Sequence, residues 1–170
     1  PGLLKPGDLQ KVLQNLLREG VSIRDLSAIL ETLGDYAPRT KDAEILTEYC
    51  RHALSRSICQ SLLGKDGRLH VVTLDPKYED MVKGATERSD GGSFLSLPPK
   101  ALQKLVQRIA AEVRRLAGLG HAPVILCAPA VRLQVKRVVD SIQPGIPVLS
   151  FSEIARDVKV ESHGMIAEEA

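Results

Sequence analysis

Histidine and cysteine are the residues of this sequence best suited to hold a metal ion or act as nucleophiles. The chain contains seven of them: His52, His70, His121, His163, Cys50, Cys59 and Cys127. The histidines show no HxxxH or HExxH spacing, and the cysteines form no CxxC pair. Cys50 and His52 are two positions apart, which would point them to different sides of a helix. The spacing therefore predicts structural or surface histidines, with no metal site.

Other catalytic patterns are also missing from the sequence. The stretch 89–93 (SDGGS) lacks the lysine of a Walker loop and the GxGxxG of a dinucleotide fold, so we interpret it as a flexible loop. Ala128-Pro129-Ala130 joins a predicted strand to a helix N-terminus, where anions can bind, although close packing explains these small residues equally well. No GxSxG elbow occurs. We predict no catalytic residues and no cofactor, and we expect that the protein is not an enzyme.

Composition is that of an ordinary globular protein. Apolar residues make up 44% and charged residues 26% of the chain. Three Tyr, two Phe and no Trp leave little for base stacking, and a net charge of +2 is too small to indicate nucleic acid. An odd number of cysteines without paired spacing favours thiols in a reducing compartment. No apolar run reaches the ~20 residues that cross a bilayer. The start at Pro1, without Met, suggests an excised segment.

Residues 1–63 show the apolar periodicity of helices. The repeat predicts a first helix that ends near Gly20 and a second over the SIRDL stretch. A third helix is predicted from about Lys41 to Leu62. Short turns join the three, so we predict a compact three-helix subdomain.

The second helix carries its own start and stop signals. We interpret Ser22 as its N-cap, which places Asp25 at N3, where a carboxylate favours the positive helix end. Gly34 lies where a left-handed residue would end the helix. Either Thr40 or Asp42 is expected to cap the third helix.

Residues 64–170 alternate between strand and helix patterns. The turn cluster GKDG at 64–67 marks the predicted boundary. The predicted strands are 68–74, 124–128, 146–151 and an edge strand within 158–165. Helices are predicted between the first three strands, and the tail 167–170 is expected to be frayed. The predicted fold class is α+β/α/β: a helical three-helix subdomain, then a small α/β subdomain with a mainly parallel sheet.

Five charged residues are candidates for binding a partner. Arg132, Lys136 and Arg137 would line one exposed side of the helix after Pro129, either as a basic groove for an acidic partner or as a solvated face. In SIRDL, cap chemistry accounts for Asp25. Arg24 has no such local role, so it is the better candidate for a contact made elsewhere.

Several phrases of the sequence occur in the order typical of one family. They are EGVSIRDL, ILETLGDYAP, TKDAEILTEY, DGRLHVVTLDP, GHAPVILCAPAVR and VKVESHGMI. Over nearly its whole length, the chain resembles the C-terminal part of the cytoplasmic region of the FlhA family (FHIPEP), the export gate of flagellar type III secretion. The homologous gate of virulence injectisomes shares this architecture, but TKDAEILTEY, HAPVILC and VESHGMI look more flagellar.

The resemblance implies a role in a protein-export machine. Residues 1–63 and 64–170 would be the third and fourth cytoplasmic subdomains, within a homo-oligomeric, nonameric ring on the cytoplasmic side of the bacterial inner membrane. The membrane would be reached only through an absent upstream part. Implied partners are flagellar export chaperones, their substrates and other export-apparatus proteins. No family contact residue carries over to this chain.

One hypothesis about mechanism follows, and two other functions stay open. The fourth subdomain would pivot at Gly64 and Gly67, opening and closing a cleft. The alternatives are the injectisome gate and an anion-responsive α/β ligand-binding domain that uses the turn at Ala128.

Overall fold

The computed structural model describes residues 4–169 and divides the chain into two compact units, Pro1–Ser61 and Leu62–Ala170. The division predicted from the sequence, after residue 63, lies two residues further along. Across the described residues, every helix is too short or too polar to span a bilayer. Below, the two units are called the helical unit and the α/β unit.

Among its described residues, the helical unit has four helices in place of the predicted three. They are α1 (Pro6–Arg18), α2 (Leu26–Tyr36), α3 (Ala43–Ala53) and α4 (Ser55–Leu62). The third predicted helix is two helices because Leu54 leaves the helical conformation, with φ −95° and ψ 12°. The Leu54 side chain is buried, so the residue at the break packs in the core.

The predicted start of the second helix was wrong. Helix α2 begins at Leu26, and the Asp25 carboxylate accepts a hydrogen bond from the amide of Ala28 at 3.1 Å. Asp25 is thus the N-cap itself, which combines a good acceptor with a negative charge at the positive helix end. Ser22 only accepts a local bond from the amide of Arg24, at 3.3 Å.

The predicted stop of α2 was also wrong, whereas one of the two caps proposed for the next helix is found. Gly34 lies inside α2 and does not have a left-handed φ. The carboxylate of Asp42 accepts the amide of Glu44 at 2.9 Å and so caps α3. The hydroxyl of Thr40 accepts the amide of Asp42 at 3.1 Å, which steadies that cap.

The α/β unit is built on a four-stranded sheet in the order β5-β4-β1-β6, parallel throughout. Its strands are β1 (Leu69–Leu74), β4 (Ile125–Cys127), β5 (Val148–Ser150) and β6 (Val160–Ile166). Its helices are α5 (Pro76–Gly84), α6 (Pro99–Gly118) and α7 (Arg132–Ile142). The predicted fold class is confirmed, with β4 central and β6 at the edge as expected.

The flexible loop predicted at 89–93 is a tight hairpin. Strands β2 (Thr86–Ser89) and β3 (Gly92–Leu95) pair antiparallel, with Ser89 opposite Gly92. Asp-Gly is a favoured pair for a two-residue hairpin turn, and Gly92 takes a φ of +121° that suits glycine. Gly91 and Gly92 therefore serve the turn that joins β2 to β3.

An aliphatic core fills the α/β unit between the sheet and its helices. Its buried members include Val72, Leu74, Leu105, Ile109, Leu116, Ile125, Val135 and Val148. The tail is held rather than frayed, because Arg108 donates to the carbonyl of Ala167 at 2.7 Å and to the carboxylate of Glu169 at 3.0 Å. Ala170 lies outside the described residues.

Candidate functional sites

Two of the three basic residues of α7 are buried. Arg132 is 0% exposed, and its Nη1 donates to the carbonyl of Val148 at 3.0 Å. Lys136 is 5% exposed, and its Nζ donates to the carbonyl of Ile146 at 2.9 Å and to Asp140 at 2.7 Å. The prediction that these side chains line an exposed basic side of the helix is therefore wrong for Arg132 and Lys136. Their cations satisfy carbonyls of β5 and of the segment before it.

The remaining partner-binding candidates lie at the surface. Arg137 is exposed, and its Nη1 donates to the carbonyl of Ser93 at 2.7 Å, so it also anchors the hairpin. Arg24 is exposed, and Asp25 is the cap of α2. A role in binding a partner stays a prediction for these residues.

The two glycines of the turn at the start of the α/β unit are restricted in different ways. Gly67 has a φ of +76°, in the left-handed region. A Cβ on Gly64 would lie 3.1 Å from both Asp66 Oδ1 and His70 Cδ2. The amide of Gly64 donates to the carbonyl of Arg68 at 2.8 Å, closing the turn. A pivot at these glycines stays a prediction.

The strand-to-helix turn at Ala128 already has a carboxylate. The amide of Ala128 donates to Oε2 of Glu79, which projects from α5. A 3₁₀ turn, Pro129–Val131, then leads into α7. An external anion at this turn would meet the negative charge of Glu79, which disfavours the anion-responsive interpretation.

A cavity of about 420 Å³ opens beside α6 and the tail. Its lining comprises Tyr78, Lys104, Gln107, Arg108, Ala111, Glu168 and Glu169. In the described part of the chain, the buried hydroxyl of Tyr78 has no hydrogen-bond partner. Burial, reinforced by the nearby Glu168, raises the pKa of Tyr78. This phenol is therefore a neutral group at the cavity.

Three of the four histidines meet in the α/β unit. We call His70, His121 and His163 the histidine cluster. His70 lies at the start of β1, His163 lies on β6, and His121 follows α6. His70 Nδ1 and His163 Nε2 are 2.8 Å apart, and the rings of His70 and His121 stack with centroids 3.8 Å apart. One nitrogen from each ring lies within 4.8 Å of the others.

Strand register brings these side chains together. His70 pairs with Glu161 across parallel strands, which places the neighbouring part of β6, with His163, beside the start of β1. His70 and His163 are 93 positions apart in the chain. Local spacing rules therefore missed the cluster.

A β-bulge lies at this place in β6. Between the pairs Val71–Ser162 and Thr73–Met165, β6 has one more residue than β1, and the extra length includes His163. Bulges re-aim side chains, and they are frequent beside functional sites. The local geometry of His163 is thus set by an interruption of the ladder.

Two carboxylates complete the surroundings of the cluster. His70 Nε2 lies 2.9 Å from Asp66 Oδ2, and this bond holds the pKa of Asp66 below its usual value. Glu161 Oε2 lies 3.8 Å from the opposite ring nitrogen, His70 Nδ1. With Nε2 donating to Asp66, Nδ1 presents a lone pair towards His163. Histidines that bind metals are commonly oriented by such a carboxylate.

A helical unit followed by a small α/β unit with a parallel four-stranded sheet is an architecture that known proteins share. The FHIPEP family model matches residues 1–159, so the chain belongs to the FHIPEP family. The flagellar biosynthesis protein FlhA of Bacillus subtilis is 38% identical over 98% of this chain. The invasion protein InvA of Salmonella typhimurium is 35% identical over 86% of it. The chain spans only 24% and 21% of these relatives.

Solved structures agree with the fold. The CdsV protein of Chlamydia pneumoniae matches 97% of this chain with a TM-score of 0.86 and 29% identity. The nonameric SctV-C structure of EPEC matches 96% with a TM-score of 0.84, also at 29% identity. The match spans 47% and 49% of those two chains, respectively.

Proposed function

We propose that this chain is part of the cytoplasmic region of a flagellar type III export gate, on the cytoplasmic side of the bacterial inner membrane. The observation that carries the proposal is the family match over residues 1–159. FlhA of B. subtilis aligns with more of the chain, and at higher identity, than InvA does, which favours the flagellar gate over the injectisome gate. In this role the chain is a scaffold and binding module rather than an enzyme.

A segment exchange tests this proposal. The aligned segment of B. subtilis FlhA would be replaced by this chain, and the same exchange would be made in InvA. We expect the FlhA chimera to restore swimming and flagellin secretion, and the InvA chimera to secrete poorly. Immunoblots would confirm equal amounts of both chimeras. Secretion restored only in InvA would contradict the flagellar assignment, and a stable chimera that is inactive in both would contradict the export role.

The helical unit supplies the surface for ring assembly in this proposal. The nonameric form of the EPEC relative supports a ring. Leu26 and Leu30 lie one turn apart on α2 and are 44% and 47% exposed. Apolar side chains grouped on one face are typical of surfaces that become covered in an assembly. We therefore assign part of the subunit contact to this face of α2.

The double variant Leu26→Glu and Leu30→Glu tests the assembly surface. It would be made in a full cytoplasmic region that carries this chain, and the oligomer would be measured by native mass spectrometry. We expect loss of the ring with an unchanged circular dichroism spectrum. Glu31→Gln, at an exposed neighbouring position, is the matched control. A ring that forms normally in the double variant would contradict this assignment.

Docking of export chaperones and substrates is the other part of the proposal. The complex of CdsV with CdsO in C. pneumoniae shows one relative bound to another protein. Arg24 and Arg137 are the exposed cations that we assign to contacts of this kind. Calorimetric titration with a flagellar chaperone–substrate complex would compare this chain with the full cytoplasmic region. Binding by the longer protein alone would place recognition outside these residues.

Gating is assigned to the turn that contains Gly64 and Gly67. Proline at both positions would fix φ at about −65°, which replaces the +76° of Gly67, and would remove two amide donors, so we expect the turn to lose its native form and export to fall. Circular dichroism would establish that the variant is folded before export is assayed. Unaltered export by a folded variant would rule out the pivot.

A further inference from the structure

We propose that the histidine cluster is a binding site for a divalent transition-metal ion, best suited to zinc. His70 Nδ1, His163 Nε2 and one nitrogen of His121 would be the ligands, and Glu161 would supply a fourth donor. The inference depends only on the geometry of the α/β unit. It stands whether or not the chain belongs to an export gate.

The donors match zinc in chemical type and in spacing. Imidazole nitrogen and carboxylate oxygen are common zinc ligands, and zinc–nitrogen bonds of about 2.0–2.1 Å place neighbouring ligands of a tetrahedron about 3.3 Å apart. The observed distances lie on either side of that value: 2.8 Å from His70 Nδ1 to His163 Nε2, and 3.8 Å from His70 Nδ1 to Glu161 Oε2. Both distances are within about half an ångström of this value, and metal binding would replace the hydrogen bond between His70 and His163.

Asp66 orients one ligand. Its carboxylate accepts from His70 Nε2, so the other nitrogen of that ring is directed into the cluster. His70 is only 6% exposed, which restricts other orientations of its ring. A buried histidine held by a carboxylate on its outer nitrogen has the second-shell arrangement of known zinc sites.

His121 must turn when the metal binds. Its ring stacks on that of His70 at an interplanar angle of 14°, so the in-plane lone pairs of the two rings do not converge. His121 is partly exposed and follows Gly120, whose φ is +89°. A ligand in this loop can rotate without disturbing the strands. Metal binding would therefore open the stack.

The charges around the site are mixed. Arg68 pairs with Glu161 at 3.6 Å, and Arg115 donates to the carbonyl of His163. Three carboxylates offset these two cations. Asp66 and Glu161 lie beside the histidine cluster, and Glu112 pairs with Arg115 at 2.7 Å. Glu161 would have to exchange Arg68 for the metal. Because both side chains of that pair are largely exposed, the exchange gives up only a weak interaction.

The position of the site points to a structural metal. The cluster lies where β1 begins, whereas α/β sheets bind substrates and cofactors beyond the carboxyl ends of their strands. A metal here would join β1, β6 and the segment before β4. Asp66 also links it to the turn that contains Gly64, because Asp66 belongs to that turn and accepts from His70 Nε2. Binding would thus stiffen the start of the α/β unit.

Calorimetric titration of the 170-residue chain with ZnCl₂ tests the proposal, with MgCl₂ as a comparison that favours oxygen ligands. We expect one zinc per chain, no magnesium binding and a rise in Tm of ~5 °C or more at saturating zinc. NMR of the histidine rings should show the resonances of His121 shifting as its stack opens. Absence of zinc binding, or equal binding of magnesium, would overturn the site.

Variants separate this site from adventitious binding. His121→Ala and His163→Ala change partly exposed residues and should weaken zinc binding by more than ~100-fold. Asp66→Asn should weaken it by roughly 10–100-fold. His52→Ala is the matched control, because His52 is an exposed histidine on α3, outside the cluster. Zinc affinity that survives both cluster variants, or that falls equally in His52→Ala, would refute the assignment.

Discussion

The two units satisfy their buried polar side chains in different ways. In the helical unit, the hydroxyls of Thr32 and Thr47 donate to carbonyls one turn back in the same helix, at 2.7 and 2.6 Å. Two contacts cross between elements: Asn15 donates to the Thr47 hydroxyl at 3.1 Å, and Arg51 pairs with Glu19 at 3.5 Å. The two threonine-to-carbonyl bonds form as soon as their helices form.

In the α/β unit, the largest buried polar side chains bond to other elements. Arg132 and Lys136 reach from α7 to carbonyls of β5 and the segment before it. His70 and His163 join two strands. Loss of one of these contacts in the α/β unit therefore disconnects two elements, whereas loss of a threonine-to-carbonyl bond in the helical unit removes one local bond. Three sets of substitutions test this difference, and a thiol-labelling experiment tests burial in the helical unit.

Arg132→Met should have the largest effect. It removes a fully buried cation and leaves the Val148 carbonyl without this donor, so we expect the free energy of unfolding of the α/β unit to fall by ~3 kcal/mol. Urea unfolding followed by circular dichroism would measure it. Arg137→Met, on the exposed side of α7, is the control and should cost less than ~1 kcal/mol. Equal effects of the two variants would contradict the comparison.

Lys136→Met should cost less, about 2 kcal/mol. It removes the donor to the Ile146 carbonyl, but its other partner, Asp140, is 40% exposed and remains solvated. Asp140→Asn separates the two contacts in the same unfolding assay. We expect it to cost only about 0.5 kcal/mol, since a partly exposed ion pair is weak. A larger loss in Asp140→Asn than in Lys136→Met would show that the ion pair, rather than the carbonyl bond, holds this helix.

Asp42→Ala tests a local contact of the helical unit. Loss of the N-cap of α3 should lower the free energy of unfolding by about 1 kcal/mol, and Asp42→Asn, which retains a capping oxygen, by less. Thermal melts of helical circular dichroism would show the order. An effect as large as that of Arg132→Met would remove the distinction between local and long-range contacts.

Ionisation of the Cys50 thiol should have the smallest effect on stability, and none at neutral pH. Burial raises its pKa from 9.0 to about 11, so the folded protein keeps the thiol protonated where an unfolded chain would lose the proton. Its contribution to stability is complete below pH 9 and is lost as the pH rises through 11. At pH 8, Cys50 should react with a thiol reagent only after unfolding in urea. Rapid labelling of Cys50 in the folded chain would contradict its burial.

The sequence patterns predicted most elements because each depends on nearby residues. The apolar run at 124–128 correctly indicated a strand covered on both faces, and 158–165 an edge strand. Errors arose where two local signals compete. Ser22 and Asp25 are both good caps, and only the structure shows that Asp25 has that role. The break at Leu54 has no glycine or proline to indicate it.

The sites could not be predicted in the same way. Arg132 and Arg137 look alike in the sequence, and what separates them is the strand that covers one side of α7. His70 and His163 meet only because β1 and β6 pair in a particular register, after the chain has passed through two other strands of the same sheet. Helical and strand periodicity describe which residues share a face. They do not describe which faces meet.

The strand order has a consequence for how the chain acquires its fold during synthesis. Because β6 is the last strand to be made and pairs with β1, the first, the sheet stays incomplete until residue 166 has left the ribosome. Until then β1 presents an open edge, with unpaired backbone groups that attract other strands. Pairing over so long a separation is slow. A nascent chain that stalls before residue 160 should therefore be the form of this protein most prone to aggregation and most dependent on a chaperone.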